Sequence, residues 1–423
     1  DVERSRGLGD VYKRQKEKYE KAREQICPRD DGKACKRIAE VLLDGKEPVN
    51  PIYLNQTDKV KLLVYAGDFS DTQETEAFYE FLNKVDYEQM DESEAGINDD
   101  LSDDTLLSLE GYTNIALFGL DNRSKNKYEG GNSDVIMIAS INNKTKDVKL
   151  VSVYRDSYLS IGGGLYRKAN AAYANGGAKQ AVQMLNSNLD LDIKEYVCVD
   201  WAAMVEVIDN LGGLDLEITQ GEMQQINKYK KDVDKVTGKM TPDVTQYGLV
   251  HLDGTQATTY ARIRKLAGDD FKRASRQRIV LQAILEKAKK ADIATLTSIC
   301  NSVMDDISTT LSIGQILSLA KDVTSYKVES TTGFPFNLTT EALSATGDTV
   351  IPADLVTNVT QLHKYLFDDN TYVPSQTVQA ISDTIVSQTG ITKDSALINT
   401  SDYNETAGAT GTDKIQKSTE GNQ

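Results

Sequence analysis

The chain has 423 residues, with 48 Lys and Arg against 64 Asp and Glu, and a formal net charge of −16. This acidic balance argues against a general nucleic-acid-binding protein, which needs a basic surface to meet the phosphate backbone, so we expect no nucleic acid among its partners. The only two His, His251 and His363, exclude zinc sites built on several His and argue against a Ser-His-Asp triad.

The N-terminal part of the sequence is polar and carries few structural signals. Residues 1–85 hold charged, helix-forming stretches, and we treat them as an N-terminal region without an assigned fold. Asp1 stands where an initiator Met would be expected, which fits either a fragment or a partly non-native leader. Residues 86–110 contain ten acids and no Lys or Arg, which predicts a solvated linker.

Several familiar sequence signals are absent. The sequence has no CxxC motif, P-loop or GxSxG motif, and no stretch approaches the ~20 apolar residues of a membrane-spanning helix. Cys27 and Cys35 could close a small loop, but their spacing alone does not establish a disulfide. Cys198 lies in an apolar run, which favours a buried, inert thiol.

From Tyr112 onward, apolar strand-like runs alternate with helix-like segments. This alternation predicts an α/β domain over residues 111–391, with helices on both faces of the sheet. Short apolar pieces in residues 334–374 predict irregular packing onto the same domain, and the polar tail, residues 392–423, predicts disorder. The strands are predicted at 113–120, 135–141, 148–153, 195–199 and 214–218, and the helices at 178–189, 201–211, 271–290 and 312–324.

Two acids flank the first two predicted strands. Asp121 follows the first strand and Asp134 comes directly before the second. Because ligands of α/β sheets bind beyond the carboxyl ends of strands, these carboxylates could hold a hard cation such as Mg²⁺ together with substrate phosphates. The alternative is structural, with Asp121 capping a turn and Asp134 in a loop. Arg155, after the third strand, either joins this site or is an ordinary surface residue, and Lys168 either reaches phosphate or lies in a solvated loop.

A dense cationic stretch, residues 261–278, stands out in this acidic chain. The planar donor fork of Arg suits phosphate and carboxylate groups. Arg262 and Arg264 alternate as on a strand, so both could point to one face. Arg273 and Gln277 are four residues apart near the start of a predicted helix, so they share a face beside its partly positive N-terminal end. A solvated amphipathic helix is the alternative, and we assign the remaining cations to such a solvated face: Lys265, Lys272, Arg276 and Arg278.

Seven segments resemble the LytR–CpsA–Psr family of cell-wall phosphotransferases, from about Tyr112 to Ile391. Each segment is weak by itself, but the seven in this order are specific. They are Phe-Gly-Leu-Asp-Asn-Arg (118–123), Ser-Asp-Val-Ile-Met (133–137), Val-Ser-Val-Tyr-Arg-Asp (151–156), Lys-Ala-Asn-Ala-Ala-Tyr (168–173), Asp-Asn-Leu-Gly-Gly-Leu-Asp (209–215), Leu-Asp-Gly-Thr-Gln-Ala (252–257) and Arg-Ile-Arg with Arg-Ala-Ser-Arg-Gln (262–277).

The resemblance implies a three-layer α/β/α sandwich with a mixed central sheet, outside the bacterial cytoplasmic membrane. It implies a Mg²⁺-dependent transferase that moves a phosphoglycosyl polymer from undecaprenyl pyrophosphate to a peptidoglycan hydroxyl, and that meets the membrane surface through its lipid substrate. Asp121 and Asp134 match the magnesium-associated acids, and with Arg155 they form the implied catalytic set. The residues that match the pyrophosphate-binding set are Arg123, Lys168, Arg262, Arg264, Arg273 and Gln277.

The sequence departs from the family pattern in three places. Asn132 stands where an Arg usually precedes Ser-Asp, and Gly-Asp-Asp-Phe-Lys-Arg (268–273) replaces the commoner Asp-Phe-Gly-Arg. Residues 1–85 show no membrane helix of the kind found in the family, so a membrane anchor is inferred from the resemblance alone. Two other functions fit the same residues: a non-catalytic module that binds polyprenyl phosphates or anionic wall polymer, and a lipid pyrophosphatase.

Overall fold

The computed structural model describes one unit, which lies within Lys84–Gln423. All structural statements below refer to its described residues. These are residues 86–87, 90, 92–120, 131–264, 266, 269–303, 307–312, 315–316, 318–319, 322–395 and 398–399.

Strands and helices alternate along this unit. The strands are β1 (Asp86–Tyr87), β2 (Tyr112–Leu120), β3 (Ser133–Asn142), β4 (Asp147–Val153), β5 (Tyr158–Ser160), β6 (Tyr166–Lys168), β7 (Glu195–Val199), β8 (Leu214–Ile218), β9 (Gly248–Leu252), β10 (Ile307–Thr309), β11 (Lys327–Phe334), β12 (Asn337–Leu343), β13 (Gly347–Pro352) and β14 (Ile398–Asn399). The helices are α1 (Asp103–Glu110), α2 (Ala171–Leu189), α3 (Trp201–Asn210), α4 (Gln220–Thr237), α5 (Gly254–Tyr260), α6 (Asp269–Ala288), α7 (Ile293–Val303), α8 (Leu355–Phe367) and α9 (Gln376–Thr389).

A mixed sheet forms the centre of the unit, with the strand order β1-β10-β7-β2-β3-β4-β11. Strands β2, β3 and β4 pair antiparallel, whereas β2 pairs parallel with β7 and β4 pairs parallel with β11. A separate hairpin, β8–β9, packs with α3, α4 and α5 around its own apolar cluster. The predicted α/β class, with a mixed central sheet in a three-layer sandwich, is confirmed.

The two faces of the sheet bury different side chains because successive residues of a strand point to opposite sides. Ala116 and Phe118 of β2 face one helical layer, formed by α2, α8 and α9. Ile115 and Leu117, which alternate with them along β2, face the opposite layer, where Leu281 of α6 packs. Cys198 is fully buried, as its apolar context predicts.

Residues 92–110 differ from the predicted solvated linker. Ala95 and Leu109 are buried, and α1 is capped by Ser102, whose side chain accepts from the Thr105 amide. Asn98 donates to the buried Asp190 carboxylate at 2.6 Å. The acids of this segment dominate its composition, but its sparse apolar and amide side chains determine where it packs.

Two other predictions about irregular regions also differ from the structure. Residues 334–374 form regular elements, since β12 and β13 pair antiparallel and α8 follows them. In the predicted polar tail, Ile398–Asn399 pairs with β12, while residues 400–423 lie outside the described residues. Only part of the helix predicted at 312–324 lies within the described residues. No helix in the described part of the chain is long and apolar enough to span a membrane.

His363 on α8 is a buried titratable group that couples stability to pH. Its Nε2 donates to the Leu189 carbonyl at 2.9 Å, and its ring stacks on Tyr372 with centroids 3.6 Å apart. Burial lowers the pKa of His363 to about 4. The folded state therefore holds a neutral imidazole at pH values where the unfolded chain is already protonated.

We expect the contribution of His363 to the free energy of unfolding to fall by about 2 kcal/mol as the pH drops from 7.5 to 5. The sign follows from the lowered pKa, because only the unfolded state takes up the proton between about pH 6.5 and 4. Urea unfolding of the wild type and of His363→Phe at both pH values measures the effect. The variant should lose this part of the pH dependence, and an equal slope in both proteins would contradict the prediction.

Candidate functional site

The antiparallel register of β3 and β4 brings Asp134 opposite Arg155. Met137 pairs with Ser152, and Asp134 on β3 and Arg155, just after β4, each lie three positions further toward the same sheet edge. Arg155 Nη1 donates to Asp134 Oδ1 at 2.6 Å. Both side chains are about a fifth to a quarter exposed, at 21% for Arg155 and 24% for Asp134. The pair is thus formed by strand pairing between residues 21 positions apart.

A second guanidinium completes the surroundings of the Asp134 carboxylate. Arg264 Nη2 donates to Asp134 Oδ2 at 3.0 Å, so each carboxylate oxygen faces a different Arg. Arg264 is the more exposed of the two, with 43% of its side chain accessible. Charge-assisted hydrogen bonds of this kind are stronger and more directional than neutral ones. They fix the carboxylate and both cations at one edge of the sheet.

Lys168, at the end of β6, reaches the same edge through a second acid. Its Nζ lies 2.9 Å from Asp156 Oδ1, and Arg155 Nε lies 3.4 Å from Asp156 Oδ2. The hairpin β5–β6 holds Lys168 in place because it packs beside the turn that follows β4, with the Ala169 amide donating to the Ser157 carbonyl at 2.8 Å. A chain of alternating charges results: Arg264, Asp134, Arg155, Asp156 and Lys168.

The start of α6 closes the site from the other side. Arg273 and Gln277 line a pocket together with Asp134 and Arg155, with a cavity volume of about 10 Å³, room for about one water molecule. The ring of Phe271 meets the Tyr154 ring edge-on at 4.7 Å, which fixes the start of α6 against the end of β4. The pocket therefore joins four predicted site residues from three sequence segments, with Gln277 one helical turn beyond Arg273 on α6.

Arg262 differs from the prediction. Residues 261–264 form turns after α5 instead of a strand, with the Arg262 amide donating to the Thr259 carbonyl at 3.0 Å. The Arg262 guanidinium lies over the Trp201 ring, 3.0 Å from its centroid, so it is placed by cation–π stacking. Arg262 and Arg264 thus have different partners.

The cations assigned to a solvated face are buried where the structure describes them. Lys272, Arg276 and Arg278 are 7%, 6% and 2% exposed. Arg276 Nε donates to Glu222 Oε1 of α4 at 2.7 Å, which explains its burial as part of an ion pair between helices. Burial lowers the pKa of Arg278. Charge runs are often solvated, but this helix is covered by α4 on one side and by the sheet on the other. Lys265 lies outside the described residues.

Two of the predicted site residues, Asp121 and Arg123, also lie outside the described residues. The two-carboxylate metal site therefore remains a prediction. Within the described ranges, no group of three or more His, Cys, Asp or Glu side chains could hold a metal ion. Asp134 is the one predicted metal-associated acid that the structure places.

Sequence reasoning missed two residues that organise the site. Asp156 bridges Arg155 and Lys168, although it was noted only as the end of a motif. Trp201, the single Trp of the chain, supports Arg262. Their sequence signals were weak: an acid directly after an Arg, and a Trp at the first position of a predicted helix.

A polyanion is the ligand that this arrangement suits best. Cationic side chains from the end of β4, from β6, from the turn after α5 and from α6 converge on one edge of an α/β sheet, where such sheets bind ligands. Together with the fold, this defines an α/β sandwich domain with an anion-binding edge. Phosphoryl transfer relies mainly on positioning and charge neutralisation, which such an edge can supply.

Comparison with known proteins places this domain in a family. The model of the LytR_cpsA_psr family matches residues 76–361, so the chain belongs to the LytR–CpsA–Psr family. The match starts at residue 76, before Tyr112, so it covers all of the predicted linker, residues 86–110, and the end of the predicted N-terminal region.

Curated relatives and a solved structure agree with this assignment. The chain is 30% identical over 211 residues to the polyisoprenyl-teichoic acid–peptidoglycan teichoic acid transferase TagU of Enterococcus faecalis, covering 49% of this chain and 64% of that protein. It is 32% identical over 220 residues to TagT of Bacillus subtilis, covering 51% and 66%. A solved structure of TagT bound to LI-WTA is 25% identical, with a TM-score of 0.50, over 63% of this chain and 93% of that one. The aligned residues thus span slightly less than two thirds of the length of these curated relatives.

Proposed function

We propose that this chain transfers a phosphoglycosyl polymer from an undecaprenyl-pyrophosphate carrier to peptidoglycan during bacterial cell-wall assembly. The observation that carries this proposal is the sheet edge at which Asp134, Arg155 and Arg273 line one pocket, with Arg264 donating to the Asp134 carboxylate. Relatives named as polyisoprenyl-teichoic acid–peptidoglycan transferases support the donor and the acceptor class. The polymer is a teichoic acid or a capsular polysaccharide, and the reaction takes place outside the cytoplasmic membrane, which the chain meets through the lipid of its donor.

The proposed reaction is a phosphoryl transfer. A peptidoglycan hydroxyl oxygen attacks the phosphorus next to the polymer, its new P–O bond forms, and the pyrophosphate P–O bond breaks to release polyprenyl phosphate. The hydroxyl proton passes to a carboxylate, for which we propose Asp134 or Asp121. Arg155 and Arg264 are held on the Asp134 carboxylate at 2.6 and 3.0 Å, so they are in place to neutralise charge that develops on the phosphate oxygens.

The remaining cations have binding roles in this proposal. Lys168, Arg262, Arg264, Arg273 and Gln277, with Arg123 from outside the described residues, contact the pyrophosphate. Arg262 is the least direct of them in this structure, because its guanidinium lies on Trp201.

We propose Mg²⁺ as the cofactor, held by Asp134 and Asp121. Asp134 fits this role because Mg²⁺ is commonly bound by one or two carboxylates and completed by substrate phosphates and water. Bound there, the ion would neutralise negative charge on the pyrophosphate and the leaving phosphate. Its binding would compete with the two Arg contacts of Asp134, so the metal and the donor are expected to bind together.

This metal proposal predicts that transfer depends on divalent cation. Chelation with EDTA should lower the transfer rate at least about tenfold, and added Mg²⁺ should restore it. The affinity for the polyprenyl-pyrophosphate donor, measured by titration with and without Mg²⁺, gives a readout that does not depend on turnover. Equal rates and equal affinities in EDTA and in Mg²⁺ would contradict the proposal.

A labelled donor separates transfer from the other functions. A polyprenyl-pyrophosphate-linked oligosaccharide with label in the sugar is incubated with the protein and with peptidoglycan. Label in the insoluble peptidoglycan supports transfer. Release of soluble labelled sugar phosphate regardless of acceptor supports a pyrophosphatase, and tight donor binding without any product supports a binding module; either result overturns the proposed function.

A further inference from the structure

We infer that Asp156 is a positioning residue that holds the cations Arg155 and Lys168 at a common distance from the pyrophosphate. This inference rests on the proposed function, and it assigns Asp156 a role that is neither metal binding nor proton transfer. It is based on the contacts of the Asp156 carboxylate: Lys168 Nζ lies 2.9 Å from one of its oxygens, and Arg155 Nε lies 3.4 Å from the other.

Asp156 is more buried than the two cations and does not line the pocket. Its side chain is 15% exposed, less than the 21% of Arg155 and the 24% of Lys168. The pocket is lined by Asp134 and Arg155 but not by Asp156. The two described acids of the site therefore differ in place, with Asp134 lining the pocket and Asp156 contacting Arg155 from its Nε side.

The backbone fixes Asp156 independently of the cations. Its carbonyl accepts from the Val350 amide of β13 at 2.9 Å. On either side of it, the Arg155 carbonyl accepts from the Asn170 amide at 3.0 Å and the Ser157 carbonyl accepts from the Ala169 amide at 2.8 Å. Because the turn is tied to β13 on one side and to the start of α2 on the other, the carboxylate is a fixed point to which the two flexible cations attach.

The negative charge of Asp156 offsets the repulsion between the two cations. Arg155 and Lys168 carry like charges, and without a carboxylate between them they would repel each other and adopt separate positions. Asp156 lets both remain close at one sheet edge before the anion arrives. When a pyrophosphate binds, the cations need little reorganisation, which is how preorganised charges favour binding and transfer.

The test measures binding of a polyprenyl pyrophosphate to the full chain. Asp156→Asn keeps the shape of the side chain but removes its charge, and it should weaken binding about tenfold, as loss of a supporting partner commonly does. Asp156→Glu should recover most of this loss. In a Lys168→Met background, Asp156→Asn should weaken donor binding by a further factor of less than about three. The effect is smaller because Lys168, one of the cations that Asp156 contacts, is already gone.

In steady-state transfer, Asp156→Asn should raise KM for the donor more than it lowers kcat, which a general loss of fold would not do. The matched control is Asp322→Asn, which breaks a surface ion pair with Lys146 of similar length, 2.9 Å, away from this site. Unchanged donor affinity in Asp156→Asn, or losses that simply multiply in the Lys168→Met background, would overturn the inference.

A ligand-free readout distinguishes this inference from the proposed function. Reductive methylation of the free protein, followed by mass spectrometry, should modify Lys168 several-fold faster in Asp156→Asn than in the wild type. If the wild type binds donor without transferring polymer, the proposed function fails while the affinity comparison still decides the role of Asp156. If the wild type binds no donor, the labelling rate of Lys168 decides it, and an unchanged rate overturns the inference.

Discussion

Replacing Arg155 by Ala is expected to slow polymer transfer by about 100- to 1000-fold, the range for losing one preorganised donor at a reacting oxygen. Arg155 lies at the pocket and contacts two described acids, through Nη1 to Asp134 at 2.6 Å and through Nε to Asp156 at 3.4 Å. Its loss therefore removes a charge from the substrate and also the link between two anchoring carboxylates. Rates of label transfer from a polyprenyl-pyrophosphate donor measure the effect.

Two further variants sharpen this prediction. Arg155→Lys keeps the charge but cannot contact two carboxylates through separate nitrogens, so it should recover only part of the rate. Arg167→Ala is the matched control, because Arg167 is an exposed Arg on β6 that points away from the side of Lys168. Thermal unfolding of Arg155→Ala should remain close to the wild type, since its ion pairs are partly exposed and such pairs contribute little stability. Full transfer by Arg155→Ala would contradict the site assignment.

Replacing Asp190 by Ala is expected to lower the free energy of unfolding by about 3–5 kcal/mol. Asp190 ends α2 in a left-handed conformation and is fully buried. Its carboxylate accepts from Asn98 Nδ2 at 2.6 Å, from the Tyr372 hydroxyl, and from the Ser375 amide and hydroxyl at 2.8 and 2.7 Å. Burial, with the Asp190 charge beside it, raises the pKa of Tyr372, which keeps that hydroxyl a donor.

The cost arises because one carboxylate joins three separate segments. Without it, the donors of Tyr372 and Ser375 stay buried and lose this acceptor, and Asn98 keeps only the Ser187 carbonyl. Urea unfolding of Asp190→Ala measures the loss of unfolding free energy. The stability of Asp190→Asn should lie between those of Asp190→Ala and the wild type, because the amide keeps one acceptor oxygen. Asp383→Ala on the exposed side of α9 is the control, expected within about 0.5 kcal/mol of the wild type. A loss below about 1 kcal/mol for Asp190→Ala would contradict this account.

Local sequence patterns predicted the sheet and one half of the site well. Apolar runs located β2, β3, β4 and β7, because strands covered on both faces favour apolar side chains throughout. The strand β8 was also predicted, and it alternates buried and exposed residues. Placing Asp134 before one strand and Arg155 after the next predicted their contact, since adjacent antiparallel strands bring such positions together. The motif pattern of the family added the partners that lie far away in sequence.

The missed features depend on tertiary contacts. Composition predicts a linker over residues 86–110, but Asn98 bonds to the end of α2 and Leu109 packs in the core, which the local composition does not reveal. The alternation of Arg262 and Arg264 predicts a strand, whereas residues 261–264 form turns after α5. The ring of Trp201, which is distant in sequence, holds the Arg262 guanidinium. Arg276 is buried because Glu222 of another helix neutralises it. Partners of this kind cannot be inferred from spacing within one segment.

The central claim is that the edge formed by Asp134, Arg155, Arg264 and Arg273 binds the pyrophosphate of a lipid-linked donor. A crystal structure of the protein with a polyprenyl pyrophosphate and Mg²⁺ tests it most directly. The account predicts both phosphates at this edge, with oxygens within about 3 Å of the Arg155 and Arg273 guanidinium groups. Pyrophosphate density at another surface, with the Asp134–Arg155 contact unchanged and no phosphate beside it, would contradict the account.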